Sequence, residues 1–271
     1  MKIFLQKILK FSHIKKMILF DKEKIIFEGM TSVSALINAC KAQKCRRSLH
    51  SVYFSSAKLK KEKGRYAFLK HASEELGFSL EILPAEKIES LASGKTHGGI
   101  LGIASSAQYS APDEQCINTS NGFAALIEGV EDPYSLGYAA RALYACGADT
   151  LILGEHLPDG TDSVLCKASA GASELMDIRV SDTAAAITMY KKAGYTVACA
   201  EIRDAIPCNL AKLKKPLLLV IGGEKRGISS SLLSMCDFNV KIPYGSNFMG
   251  SLSTASATAI LAYEVLRQNM E

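Results

Sequence analysis

The sequence predicts an α/β protein in two parts: a small α/β unit, then a larger domain on a parallel sheet covered on both faces. Three observations lead there. Apolar, strand-like runs alternate with helical periods along most of the chain, the pattern of a sheet packed under helices. A polar stretch at 106–121, rich in Ser, Pro, Asp and Asn, breaks the alternation and reads as a linker. Several strands of the second part, above all 217–221, are continuously apolar, as strands buried on both faces must be. With 271 residues and 48% apolar content, the chain has room for two ordinary domains.

The first part is expected at 24–105. Residues 31–43 have helical periodicity with Thr31 or Ser32 as N-cap, and 49–54 alternate like a strand. A helix over 63–76 ends at Gly77, a natural C-cap, and a strand follows at 78–83. Pro84 opens a third helix, and 99–104 form a further strand. The second part, 122–271, opens with a strand at 123–128, a helix at 135–146 stopped by Gly147, and a strand at 150–153. A helix near 164–176 comes next, then short strands around 178–180 and 196–200 flanking a helix at 184–193. The strand 217–221, a last strand at 240–242 and a closing helix at 251–267 complete the domain.

Composition removes several classes of protein. Polar residues interrupt every apolar run before it reaches the roughly 18 to 20 residues of a membrane span. Residues 1–23 are no signal peptide, because Lys7, Lys10, Lys15 and Lys16 break the hydrophobic stretch; they read as a basic extension, with Met17 as an alternative start. The eight cysteines (40, 45, 116, 146, 166, 199, 208, 236) contain no C-x-x-C pair, and the five histidines are not at ligand spacing from them. No metal site is expected, and the cysteines read as reduced thiols packed as small hydrophobes in a cytoplasmic protein. Charge is uneven: residues 1–70 hold 17 Lys and Arg against 4 Asp and Glu, and the remainder 15 against 23. A front end of +13 beside a back end of −8, clustered at 41–47 and 58–65, suits a polyanionic partner such as nucleic acid. The plain alternative is a soluble surface with scattered lysines.

Three phrases in the second part carry chemistry. The first is Asp132-Pro133-Tyr134-Ser135-Leu136-Gly137 followed by Arg141. The second is Ile221-Gly222-Gly223-Glu224-Lys225-Arg226-Gly227. The third is Ile242-Pro243-Tyr244 followed by Ser251-Leu252-Ser253-Thr254-Ala255-Ser256-Ala257. Each sits where a strand ends, and ligands of open parallel sheets bind beyond those carboxyl ends. Arg141, one turn into its helix, has a guanidinium suited to gripping a phosphate, or is a surface arginine. The glycines of the second phrase match neither a P-loop nor a dinucleotide fingerprint, but they let a ligand lie against main chain, or simply make a tight turn. Ser251 reads as a helix N-cap, or as one of several donors at a helix start facing a ligand.

Taken together, the three phrases resemble the SpoU (TrmH-like) branch of the SPOUT RNA methyltransferases over about residues 119 to 268. The resemblance implies a C-terminal SPOUT domain with a deep trefoil knot, an S-adenosylmethionine cofactor, a homodimer with active sites near its interface, and methylation of a ribose 2′-hydroxyl in structured RNA, either rRNA or tRNA. By motif it places Leu153, Gly154, Gly222, Gly223, Ile242 and Leu252 at the cofactor, and Arg141, Glu224, Ser251, Ser253 and Ser135 in catalysis. It also implies that residues 24–105, ending in His97-Gly98-Gly99-Ile100, form a ribosomal-protein-like RNA-binding domain. The chain departs from the family at two places, with Ser135 and Ser253 standing where the family has Asn; a hydroxyl keeps hydrogen-bonding capacity but shortens reach. Two other readings compete: an RNA-binding protein of the same fold with weak or lost turnover, and a Rossmann-type nucleotide enzyme, which the missing glycine fingerprint disfavours.

Overall fold

The computed structural model describes residues 24–155, 161–225 and 227–270. The basic extension at 1–23, with the alternative start at Met17, and Arg226 of the second phrase lie outside the described residues. The chain divides into two compact units between Gln108 and Tyr109.

The first unit runs β1 (Lys24–Glu28), α1 (Gly29–Lys41), β2 (Leu49–Ser55), α2 (Lys63–Leu76), β3 (Ser79–Leu83), α3 (Ala85–Leu91) and β4 (Ile100–Ser105). Its sheet has the order β1-β4-β2-β3 and is mixed, with β2 and β3 parallel and the other pairs antiparallel. Val33, Ile37, Val52, Phe54, Leu69 and Ile100 fill the core. The sequence missed β1, and α1 starts two residues before the expected Thr31 cap. Gly29, at φ +86°, turns the chain directly from strand into helix, a conformation costly for any residue with a Cβ. Gly77, at φ +78°, ends α2 as expected. The basic cluster at 41–47 is partly engaged in structure. Lys41 pairs with Glu75 at 2.5 Å, and Arg47 is buried with its guanidinium 4.8 Å from the centre of the Phe27 ring.

The second unit holds β5 (Phe123–Glu128), α4 (Pro133–Ala145), β6 (Thr150–Leu153), α5 (Thr161–Ala168), α6 (Ala172–Leu175), β7 (Asp177–Val180) and α7 (Thr183–Lys192). It continues through β8 (Thr196–Ala200), β9 (Ala205–Pro207), β10 (Leu217–Gly222), α8 (Ser230–Leu233), β11 (Phe238–Lys241) and α9 (Thr254–Asn269). Seven strands pair in the order β7-β6-β5-β10-β8-β11-β9, every pair parallel. β10 lies near the middle, and its side chains alternate between two cores. Leu217, Leu219 and Ile221 meet α4 and α9, while Leu218 and Val220 meet α7 and α8. Burying each such side chain contributes roughly 1.5 to 3 kcal/mol, which explains a strand with no polar face.

Four sequence expectations change here. The single helix at 164–176 is two helices, broken at Ala170 (φ +52°) and Gly171 (φ +86°). Arg141 is the ninth residue of α4, more than two turns in, because Asp132 caps that helix two residues earlier than expected. Its carboxylate accepts the Tyr134 and Ser135 amides at 3.3 and 2.9 Å. The closing helix starts at Thr254 with Ser253, not Ser251, as its N-cap. Cys199 and Cys236 are joined, Cα atoms 6.1 Å apart, so the reading of all eight cysteines as free thiols holds for six. Pairing of β8 with β11 is what brings those two together.

The polar stretch 106–121 is ordered. Tyr109 packs on the larger core, Asp113 caps a 3₁₀ turn at Glu114–Cys116, and Arg179 reaches Ser110 at 2.8 Å.

Candidate active site

A cleft of about 340 Å3 opens at the carboxyl ends of β8, β10 and β11. That size is at the lower end of small-molecule sites. One wall is the turn after β10: Gly222, Gly223, Glu224, Gly227 and Ile228. A second is the segment after β11: Ile242, Tyr244, Ser251 and Leu252, with Thr254 at the start of α9. Ala200, Glu201 and Ile202, after β8, form the third side.

The glycine wall is tight because its backbone is folded on itself. Gly223 N–H donates to the Glu128 carbonyl at 2.6 Å, and Gly227 N–H to the Gly223 carbonyl at 3.0 Å. A Cβ on Gly222 would come within 2.4 Å of Gly227 C, and one on Gly223 within 2.2 Å of Gly129 O. The Glu128 carboxylate then accepts both the amide and the hydroxyl of Ser229, at 2.9 and 3.0 Å. Thr254 ties this wall to α9, its hydroxyl donating to the Gly222 carbonyl at 3.0 Å.

A second cleft of about 330 Å3 lies on the other side of Glu224, lined by Gly129 to Pro133, Ser135, Glu224 and Lys225. Glu224 therefore faces both. Ser135 Oγ donates to Glu224 Oε1 at 3.2 Å, and Lys225 pairs with Glu131. The Ser135 amide, helped by that of Tyr134 and opposed by desolvation, holds the Asp132 carboxyl below the usual carboxylate range.

Of the residues singled out in the sequence, the structure gathers Gly222, Gly223, Glu224, Ile242, Ser251 and Leu252 around the first cleft, and Ser135 with Glu224 around the second. Leu153 and Gly154 line neither. β5 stands between β6 and β10, so the end of β6 falls two strands away from the cleft, and Leu153 is buried in the core. Ser253 is occupied as a cap, accepting the Ser256 amide at 3.2 Å and bonded to its hydroxyl at 3.0 Å. Arg141 lines neither cleft; it is exposed, and its side chain makes no hydrogen bond or ion pair among the described residues. The β8 side, Ala200 to Ile202, was missed. Only the sheet order, which sets β8 beside β10, could have revealed it.

Arg141 lies on an exposed aromatic face. Tyr134, Tyr138 and Tyr144 of α4 are 42–53% exposed; Ile260 and Tyr263 of α9, the helix against which α4 packs, are exposed as well. Among the described residues, no group of three or more His, Cys, Asp or Glu is placed to hold a metal, and no helix is long and apolar enough to cross a membrane.

Fold and cleft together define a class: a parallel α/β domain whose candidate ligand site is assembled at strand ends from loops distant in sequence. Residues 122–263 match the SpoU rRNA Methylase family, and the chain belongs to it. A Staphylococcus haemolyticus protein assigned to the TrmH family of tRNA/rRNA methyltransferases is 30% identical over 194 residues, covering 70% of this chain and 77% of the relative. The crystal structure of an RNA 2′-O ribose methyltransferase superposes with a TM-score of 0.74 at 18% identity, covering 91% of this chain and 89% of that one. The AdoMet-bound rRNA methyltransferase of Sinorhizobium meliloti superposes at 0.75 with 21% identity, covering 92% and 89%. At these identities the two structures establish a shared fold.

Proposed function

We propose that the chain is an S-adenosylmethionine-dependent methyltransferase acting on a ribose 2′-hydroxyl of rRNA or tRNA, in the cytoplasm and as a homodimer, with its loops threaded as a deep trefoil knot. The observation that carries this reading is the convergence of Gly222, Ile242, Ser251 and Leu252 on one cleft. The cleft's chemistry fits the cofactor. Ile221, Ile242, Leu252 and Leu261 offer apolar contact for a flat base, while Glu201 and Glu224 are carboxylates suited to a cationic group. S-adenosylmethionine supplies the electrophilic methyl group.

The chain's own residues supply position and charge. The second cleft receives the acceptor nucleotide, with Glu224 at the wall common to both sites. Arg141 binds the phosphate beside the reacting ribose and stabilises the forming alkoxide, while that phosphate or a water takes the proton; arginine itself is too basic to serve. Glu224, held by Ser135, orients the acceptor side. Since Arg141 lies outside both clefts of its own chain, it acts on the site of a second copy. The exposed Tyr134, Tyr138, Tyr144, Ile260 and Tyr263 form the apolar face on which two copies pair. Residues 24–105 bind RNA, chiefly through the exposed Lys60, Lys61 and Lys63.

Calorimetry with S-adenosylmethionine, then methyl transfer to RNA from cells lacking the protein, tests the reading. The expected result is binding followed by transfer. Arg141→Ala should leave cofactor affinity unchanged and lower transfer by at least about 100-fold. A second reading, an RNA-binding protein of this fold with lost turnover, draws on one observation. The hydroxyls of Ser135 and Ser253 are both engaged within the protein, to Glu224 and to Ser256. Binding without transfer would favour it.

A further inference from the structure

The cleft's two loop walls are secured very differently. Residues 243–251 leave β11 and return to α9 as an exposed segment; Phe248 is 58% exposed and Met249 97%. Among the described residues this stretch makes one hydrogen bond. The Leu252 amide donates to the Tyr244 hydroxyl at 3.1 Å, closing a loop of nine residues. Both ends of that bond line the cleft. Inside the loop the Phe248 ring lies 6.0 Å from that of Tyr244, and it packs so closely on Gly250 that a Cβ there would meet it at 2.4 Å. Beyond Leu252 the chain is fixed at once, by the Ser253 cap and by Thr254 on Gly222.

We infer that Tyr244 is a positioning residue: its hydroxyl, by accepting the Leu252 amide, holds residues 245–251 as a strap along the cleft rim and so sets the wall against which the ligand rests. The inference rests on reading this cleft as the S-adenosylmethionine site. Its physical content is local. Without the hydroxyl no hydrogen bond ties residues 243–251 to Leu252 among the described residues, and a ligand would have to order the wall as it binds, which lowers affinity. The aromatic ring can stay, so Tyr244→Phe isolates the hydroxyl.

Two readouts test this. In the unliganded protein, the Leu252 amide should exchange with solvent roughly five to ten times faster in Tyr244→Phe than in the wild type, the change expected from losing one hydrogen bond. With S-adenosylmethionine, the variant should show a Kd and a cofactor KM raised by about fivefold, with kcat lowered less. Met249→Ala, in the same strap but outside the bond, should leave exchange at Leu252 unaltered. Unchanged exchange in Tyr244→Phe overturns the inference. So does tighter cofactor binding, which would mean that the hydroxyl competes with the ligand for the amide. If the wild type itself binds no S-adenosylmethionine, the cofactor reading fails while the exchange comparison still decides the strap.

Discussion

The glycine wall at 222–229 and the strap at 245–251, closed by Tyr244 and Leu252, border a single cleft, yet they represent opposite ways of building a wall. The glycine wall is over-determined. It is fixed by two main-chain bonds, by the Glu128 carboxylate on Ser229, and by backbone contacts too close for any Cβ. Among the described residues the strap is held by one hydrogen bond, to a side-chain hydroxyl, and by the packing of Phe248. A site with one rigid and one adjustable wall can be largely pre-formed and still admit a bulky ligand, because only the weakly held side needs to move. The difference is measurable, and variants of the rigid wall should show it in descending order.

Gly223→Ala should have the largest effect. Its Cβ would stand 2.2 Å from Gly129 O and 2.6 Å from Gly129 C, backbone atoms that cannot rotate aside. The turn after β10 must then separate from the end of β5. We expect a loss of about 3 kcal/mol in stability, read by urea unfolding, with cofactor binding abolished. A variant of near wild-type stability would show that this wall is as compliant as the strap, and the contrast between them would fail.

Glu128→Ala comes next. The carboxylate takes no part in lining the cleft, but it accepts two hydrogen bonds from Ser229. Their removal should cost about 2 kcal/mol, with Glu128→Gln recovering part of it. Cofactor affinity should fall in step with stability, whereas Tyr244→Phe should change affinity with little change in stability. That separation is the sharpest form of the comparison.

How much of this was visible beforehand depended on how local the cause was. Gly77 and Gly147 stop helices where expected, and β5 and β6 match their predicted spans, since caps and apolar runs act over a few residues. The glycines of the second phrase read either as room for a ligand against main chain or as a tight turn, and it is the chain's own backbone, at Gly227 and Gly129, that fills the space of each missing Cβ. The third side of the cleft could not be read, since Ala200 to Ile202 meet β10 only through the strand order. The same order sets Leu153 and Gly154 outside the lining of either cleft. Nor could the fate of the serines be seen: Ser253 looked available, but the exact start of α9 commits it to the cap. β1 escaped notice because five residues ending in a turn at Gly29 give too short a period.

The smallest expected effect lies just outside the glycine wall and carries a definite pH signature. Asp132 caps α4 through the Tyr134 and Ser135 amides and so orders the turn that presents Ser135 to Glu224. Asp132→Ala should cost about 1 kcal/mol near neutral pH, as for other N-caps. The carboxyl is held below its ordinary value of 3.8 in the folded chain, chiefly by the Ser135 amide. The sign follows: a depressed folded value means that the ionised cap stabilises the fold above the ordinary value, and that this contribution is lost as pH falls through the folded value. The stability gap between wild type and Asp132→Ala should therefore be constant well above the ordinary value of 3.8 and shrink as the pH falls below it. Cofactor affinity should not follow it, because Asp132 lines only the second cleft. A gap that stayed the same at low pH would show that the side chain acts by packing rather than by charge. A fall in cofactor affinity would show that the rigid wall depends on α4 for its support.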